Sequence, residues 1–205
     1  MRVCFLAGTL GRGGAERQLT FMLESLKNAN VPVKLLCLTR GEPFEDEIRH
    51  LGVDIDLVGE HPNRIARTVR IAKSVASWSA DILQSSHFYT NIYAGLAARI
   101  NRIPSIGAIR NDLESELRIN GIFGKGQLSL PHHLIANSQT AVDRAIRLGV
   151  RNSKIDFVPN AVKEPLIPPR SDSNDDRKVS ISFVGRLTRE KRPELFVELA
   201  SRLCF

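Results

Sequence analysis

A chain of 205 residues with 42% hydrophobic and 25% charged residues has a globular balance, which excludes disordered, collagen-like, coiled-coil and disulfide-scaffold classes. The 29 Lys and Arg outnumber the 22 Asp and Glu, leaving a formal net charge of +7 that calls for an anionic partner: nucleic acid, anionic lipid or a phosphorylated small molecule. With 6% aromatic residues and no zinc-finger spacing, nucleic acid is the weakest of these, and basicity for solubility alone is the plain alternative.

In chain order, short apolar runs alternate with longer amphipathic segments. Buried strands are predicted at 2–7, 33–38, 53–57, 81–83, 105–109, 133–136 and 155–158. Between them, helices are predicted at 15–29, 65–78, 89–100 and 140–148. The first groups Ala15, Leu19, Met22, Leu23 and Leu26 on one face. The second groups Ile65, Val69, Ala72, Val75 and Ala76 opposite Arg67, Arg70 and Lys73, and the last is closed by Gly149. This rhythm predicts an α/β fold, a doubly wound parallel sheet covered on both faces and Rossmann-like, over residues 1–160. Residues 161–178, rich in proline and ending near an SDSNDD run, read as a linker. Residues 179–205 read as the strand (179–184), loop and helix (from Pro193) that open a second Rossmann-like domain, here incomplete.

Three cysteines lack paired or ligand-like spacing. Cys4 and Cys37 sit in apolar runs and read as buried thiols of a reducing compartment, whereas Cys204 lies near the end. No apolar stretch approaches the roughly 18–20 residues of a membrane span. The first apolar run meets Gly8 too early for a signal-peptide core, so a cytoplasmic protein is expected.

The first strand runs into Gly8, Gly11, Gly13 and Gly14 and then a helix, which brings backbone amides and a helix dipole to bear on an anion. The pattern lacks the Gly-Lys-Ser/Thr of a phosphate loop. It is not G-x-G-x-x-G either, because Glu16 stands three after Gly13 and no acid follows the second strand for a ribose. Glu16 reads as a cleft residue or as a first-turn acid favoured by the dipole. His87 follows the fourth strand at the carboxyl edge, placed to meet a sugar hydroxyl or shuttle a proton; a structural hydrogen-bonder is the alternative. Arg110 and Asn111 occupy the same edge after the fifth strand, with a surface ion pair to Asp112 or Glu114 as the other reading. Ser138 after the sixth reads first as an N-cap, and Asn160 as a hinge residue. In GRLTREK, Arg186 offers a bidentate fork and Lys191 a point charge for a diphosphate, a solvated basic loop being the bland option. No metal-ligand cluster is expected. The cations Arg64, Arg67, Arg70 and Lys73 form a face that could rest on an anionic membrane or simply meet water.

Together GGAERQLTFMLESL, DILQSSHFYTNIYAGLAARINRIPSIGAIRND, ANSQTAVDRAIRLGVRNSKIDFVPNAV and ISFVGRLTREKRPELFVELA resemble, in this order, glycosyltransferase family 4, the retaining transferases of the GT-B fold. Ala161 stands where the family's Pro-Asn-Gly-Val hinge has glycine. The resemblance implies that residues 1–160 are the acceptor-side domain and that the donor is a nucleotide-sugar. It implies a glycan or lipid-linked acceptor, peripheral membrane contact, polysaccharide biosynthesis, no obligatory metal and no other cofactor. Arg186 and Lys191 would bind donor phosphates, Gly13 and Gly14 would face the donor, and His87 would be the catalytic contact to the transferred sugar. The family's downstream glutamate pair is not in residues 179–205, so the resemblance implies a truncated or split enzyme, impaired alone. Two other functions stay open. One is a non-catalytic acceptor-binding or partner module; the other is an NADP-dependent oxidoreductase, resting on Arg40 and the fold.

Overall fold

The computed structural model describes residues 1–60, 63–163, 181–185, 187–189 and 191–203. They fall into two compact units, Met1–Val162 and Lys163–Phe205. The first unit holds seven strands: β1 (Val3–Ala7), β2 (Val33–Cys37), β3 (Asp54–Leu57), β4 (Ile82–Ser85), β5 (Ser105–Ile109), β6 (His133–Ala136) and β7 (Ile155–Phe157). Each lies within two residues of a predicted apolar run. All pair in parallel, in the order β3-β2-β1-β4-β5-β6-β7. The winding direction reverses between β1 and β4, where Val3 sits beside Ile82 and Leu6 beside Ser85. A parallel sheet opens a crevice at such a switch point, outside the carboxyl ends of its strands.

Helices α1 (Gly14–Asn28) and α2 (Pro43–His50) cover one face; their core holds Phe5, Leu19, Leu23, Leu35, Phe44 and Ile48. The other face carries α3 (Arg64–Ser77), α4 (Asn91–Asn101), α5 (Leu113–Asn120), α6 (Gly124–Ser129) and α7 (Gln139–Arg147). Two clusters fill it, one around Leu6, Ile71, Leu83 and Ala97, the other around Ile109, Leu134, Val142 and Ile155. The sequence reading missed α2, α5 and α6. They are short, and in α2 only Phe44 and Ile48 are buried, one apolar pair, which leaves too little periodicity to register.

Three expectations need correction. In α3 the buried stripe is Thr68, Ile71, Ala72 and Val75. Ile65 and Val69, predicted to face the core, are 75% and 42% exposed because α4 packs against the adjacent stripe. The sheet is also not covered evenly. In register across β4–β7, Gln84, Ile106, His133, Ile135 and Asp156 are half-buried or exposed, whereas Leu83, Gly107, Leu134 and Ile155 on the opposite face are buried. The first two crossover helices go to the face that β4–β7 leave open, and the later ones go to the other. In the second unit, α8 (Pro193–Leu203) forms as predicted, but Ile181–Val184 is not a strand; Val179 and Ser180 lie outside the described residues. A strand exists by pairing, and among the described residues of this unit no second extended segment is present to pair with it.

Candidate functional site

The loop after β1 and the turn after β4 meet at the switch point. There the amide of Gly8 donates to Nδ1 of His87 at 3.1 Å, and His87 Nε2 lies 3.2 Å from Oε1 of Glu16 in the first turn of α1. Because Nδ1 accepts, the ring hydrogen sits on Nε2 and is donated to the carboxylate. Both residues are buried, each 8% exposed. Burial raises the Glu16 carboxyl, but the hydrogen bond from His87 and one from a backbone amide outweigh it and hold the group below its ordinary value.

The surrounding backbone is fixed with equal care. The carbonyl of His87 accepts from Ser85 Oγ and Thr90 Oγ1, each at 2.8 Å, and from the Thr90 amide at 3.1 Å. The Tyr89 ring lies 5.5 Å from the imidazole, centroid to centroid, and its hydroxyl occupies the space that a Cβ on Gly8 would fill. A Cβ on Gly13 would overlap Oε2 of Glu16 in the same way, and Gly14 has open space around it. Gly13 is the N-cap of α1, and no side chain caps the helix. First-turn amides and the positive end of the dipole therefore face the crevice, an arrangement suited to an anion.

Glu42, which the sequence reading passed over, anchors this loop. Its carboxylate accepts from Thr9 Oγ1 at 2.8 Å, Thr39 Oγ1 at 2.6 Å and the Leu10 amide. Burial raises this carboxyl too, and these bonds pull it below its ordinary value. A carboxylate directly before Pro43, at the N-cap of α2, was its only local signal.

A second group lies beside the first. Arg110, after β5, lines a cavity of about 370 Å³ with Gln18, Met22, Gln84 and Pro159. Its guanidinium is 3.5 Å from Asn160 Oδ1, and its Nε is buried without a partner among the described residues. Burial, with no carboxylate to offset it, lowers the Arg110 pKa. Asp112 and Glu114 pair with Arg144 at 3.0 and 2.9 Å instead, so the alternative reading of Arg110, a surface ion pair with one of them, does not hold. Asn111 donates to Glu116 at 2.7 Å, and Ser138 accepts from the Ala141 amide at 3.2 Å as the N-cap of α7. The Gln18 amide bonds both ways with the Ala161 backbone, at 2.7 and 2.8 Å, and holds the segment carrying Asn160 on α1.

The structure thus brings Gly13, Gly14, Glu16 and His87 together, and sets Arg110 beside Asn160. Arg186 lies outside the described residues. Lys191 belongs to the second unit, where its amide donates to Thr188 O at 2.9 Å. Among the described residues no cluster of His, Cys, Asp or Glu is suited to a metal, and no helix is long and apolar enough to cross a membrane. Cys4 and Cys37 are free and buried, and burial pushes the Cys4 thiol up to about 12.

The first unit resembles known structures over most of this chain and about half of theirs. HepE from Anabaena, crystallised with UDP and glucose, superposes with a TM-score of 0.66 at 18% identity, covering 79% of this chain and 45% of that one. The lipopolysaccharide outer core galactosyltransferase WaaB in its apo form gives 0.62 at 14%, covering 84% and 50%. MurG of Acinetobacter baumannii gives 0.59 at 14%, covering 80% and 46%. These likenesses establish the fold, a Rossmann-like α/β domain of the GT-B kind. No curated protein matches the sequence. The family model for Glycosyltransferase Family 4 matches residues 12–164, from within the glycine loop to just past the end of the first unit. The chain belongs to glycosyltransferase family 4.

Proposed function

We propose that this protein is the acceptor-side part of a retaining, metal-independent transferase that moves a sugar from a nucleoside-diphosphate donor to a glycan or lipid-linked acceptor. The observation that carries this reading is the Gly8–His87–Glu16 node, set against the uncapped start of α1 at the switch point. A nucleotide-sugar combines an anion with hydroxyls. The α1 amides and dipole suit its charge, while the carboxylate of Glu16, which keeps acceptor capacity beyond the bond from His87 Nε2–H, suits its hydroxyls.

In this proposal the chemistry is electrostatic. Charge builds on the departing diphosphate, and oriented amides and cations offset it in a crevice sheltered from water. Arg186 and Lys191 are assigned to that role on the donor side, and no step needs a metal. Its setting is taken to be polysaccharide biosynthesis in the cytoplasm; the buried free thiols Cys4 and Cys37 support the reducing compartment and not the pathway. The chain spans about half the length of the solved structures that it matches. Complete transfer is therefore proposed for a protein of their length.

Thermal unfolding with ligand separates the alternatives. UDP-glucose or GDP-mannose at saturation is expected to raise the melting temperature by about 2–4 °C, and His87→Ala to abolish the rise. A rise with NADP and none with either nucleotide-sugar would overturn the reading.

A further inference from the structure

The crevice lies at the carboxyl edge of the sheet. A separate cavity of about 520 Å³, a volume typical of small-molecule sites, lies at the amino edge, where the chain enters β7. Leu117 of α5, Leu128 of α6 and Val150 give it an apolar lining. Leu128 is 5% exposed and belongs to the core around Ile109 and Leu134, against which Leu117 and Val150 pack. The turn that ends α7 supplies the rest. Gly149 stands at φ +94°, where its amide donates to the carbonyl of Ile146 at 2.9 Å and the Val150 amide donates to that of Ala145 at 3.0 Å. This glycine-based helix ending reverses the chain and leaves Leu148 at the cavity, 54% exposed.

Lys125, Arg151 and Lys154 line the same cavity, and among the described residues around it none is acidic or aromatic. Lys154 is held in place. Its Nζ donates to the carbonyls of Ser129 at 2.7 Å and Leu128 at 3.3 Å, at the end of α6. An ammonium carries three hydrogens, so one is left to meet a ligand. Burial, then the neighbouring Arg99 and Arg151, lowers the Lys154 pKa, and no carboxylate acts against them. His132, one residue before β6, is lowered by burial and by Arg99 and Lys154, so it reports the same positive field. An aliphatic recess beside unmatched cations is complementary to a ligand that joins an apolar chain to an anionic head. A nucleobase has no ring to stack on here. An extended peptide has no strand edge to join, since no lining residue belongs to a strand.

We propose that this cavity binds an aliphatic carboxylate, with its chain against Leu117, Leu128, Leu148 and Val150 and its head at Lys154, Lys125 and Arg151. The site stands at the opposite end of the strands from Gly8, Glu16 and His87, and it does not rest on the transferase reading.

Titration calorimetry of the 205-residue chain with decanoate tests the proposal. It needs neither turnover nor a nucleotide-sugar, so its failure is distinct from failure of the transferase reading. Decanoate is expected to saturate one site. Each methylene taken from water strengthens binding by about fourfold at most, so hexanoate is expected to bind ~10-fold or more weakly than decanoate. Decyltrimethylammonium, with the same chain and the opposite charge, is expected not to bind. Lys125→Gln with Arg151→Gln is expected to weaken decanoate by about 5-fold, and Leu148→Ser by about as much. All three side chains are exposed, and unchanged urea unfolding would show the variants folded. No saturable binding of decanoate, equal binding of the cationic amphiphile, or variants that bind like the parent would overturn the proposal. So would a dimer that dissociates in Leu148→Ser, since the cavity would then receive a second copy of the chain.

Discussion

Both ring nitrogens of His87 are engaged, Nδ1 by Gly8 and Nε2 by Glu16, and this fixes a tautomer that no local sequence signal specifies. The Glu16 carboxyl lies below its ordinary value of 4.5, so the unfolded chain binds more protons in the acid range. Its contribution to stability is complete above that value and is lost as pH falls through the lower folded one. Melting temperature followed from neutral pH to below pH 4.5 is expected to fall less steeply in Glu16→Gln than in the parent, from a lower starting point. Glycines diverge in a similarly residue-specific way. At Gly59 a Cβ would overlap the backbone carbonyl of Leu38, which has no free torsion to relieve it. Gly59→Ala is therefore expected to cost ~1–3 kcal/mol or more in urea unfolding. At Gly14 space is open, and Gly14→Ala is expected to stabilise by about 0.5–1 kcal/mol while placing a methyl where a ligand would approach α1. The glycine count alone marked both positions equally.

Among the elements, α1 joins the site to the core and to the end of the first unit. It carries Glu16 to the site, buries Leu19 and Leu23, and through Gln18 holds the backbone of Ala161. Gln18→Ala removes both bonds to Ala161 without touching the core. The expected outcome is faster hydrogen exchange at the Ala161 amide, by about 5–10-fold, with a melting temperature lowered by no more than ~2–4 °C. An unchanged exchange rate would mean that the hinge segment is held by other contacts. Element type was legible wherever the periodicity was long. The β1 run and the Leu19–Leu23 stripe are local patterns and give the strand and helix directly. In α3 the same reasoning identified the helix but assigned Ile65 and Val69 to the core, because several adjacent stripes are apolar and only packing against α4 selects one. Pairing of Arg144 with Asp112 and Glu114 was illegible for the same reason: α5 and α7 must first be brought side by side.

At the scale of the molecule, the uneven covering of the sheet has a measurable consequence. Ile109 is fully buried under α5–α7, whereas Ile106, three residues earlier on the same strand, is half-buried on the open face. Ile109→Ala is expected to destabilise by about 2–5 kcal/mol, and Ile106→Ala by ~1 kcal/mol, measured by denaturant unfolding. Equal costs would mean that a further part of the protein covers β5 and β6. The sequence by itself determined the seven strands, the four longer helices between them, the glycine-rich entry to α1 and the change in character after Asn160. Each is encoded by neighbouring residues through apolar periodicity, turn chemistry and proline. The tertiary structure alone decided the strand order, the buried stripe of α3, the partners of Arg110 and Glu42, and the joining of Gly8, Glu16 and His87. Those last contacts close over 79 and 71 residues of chain, and only the winding of the sheet about its switch point brings such distant segments to one edge.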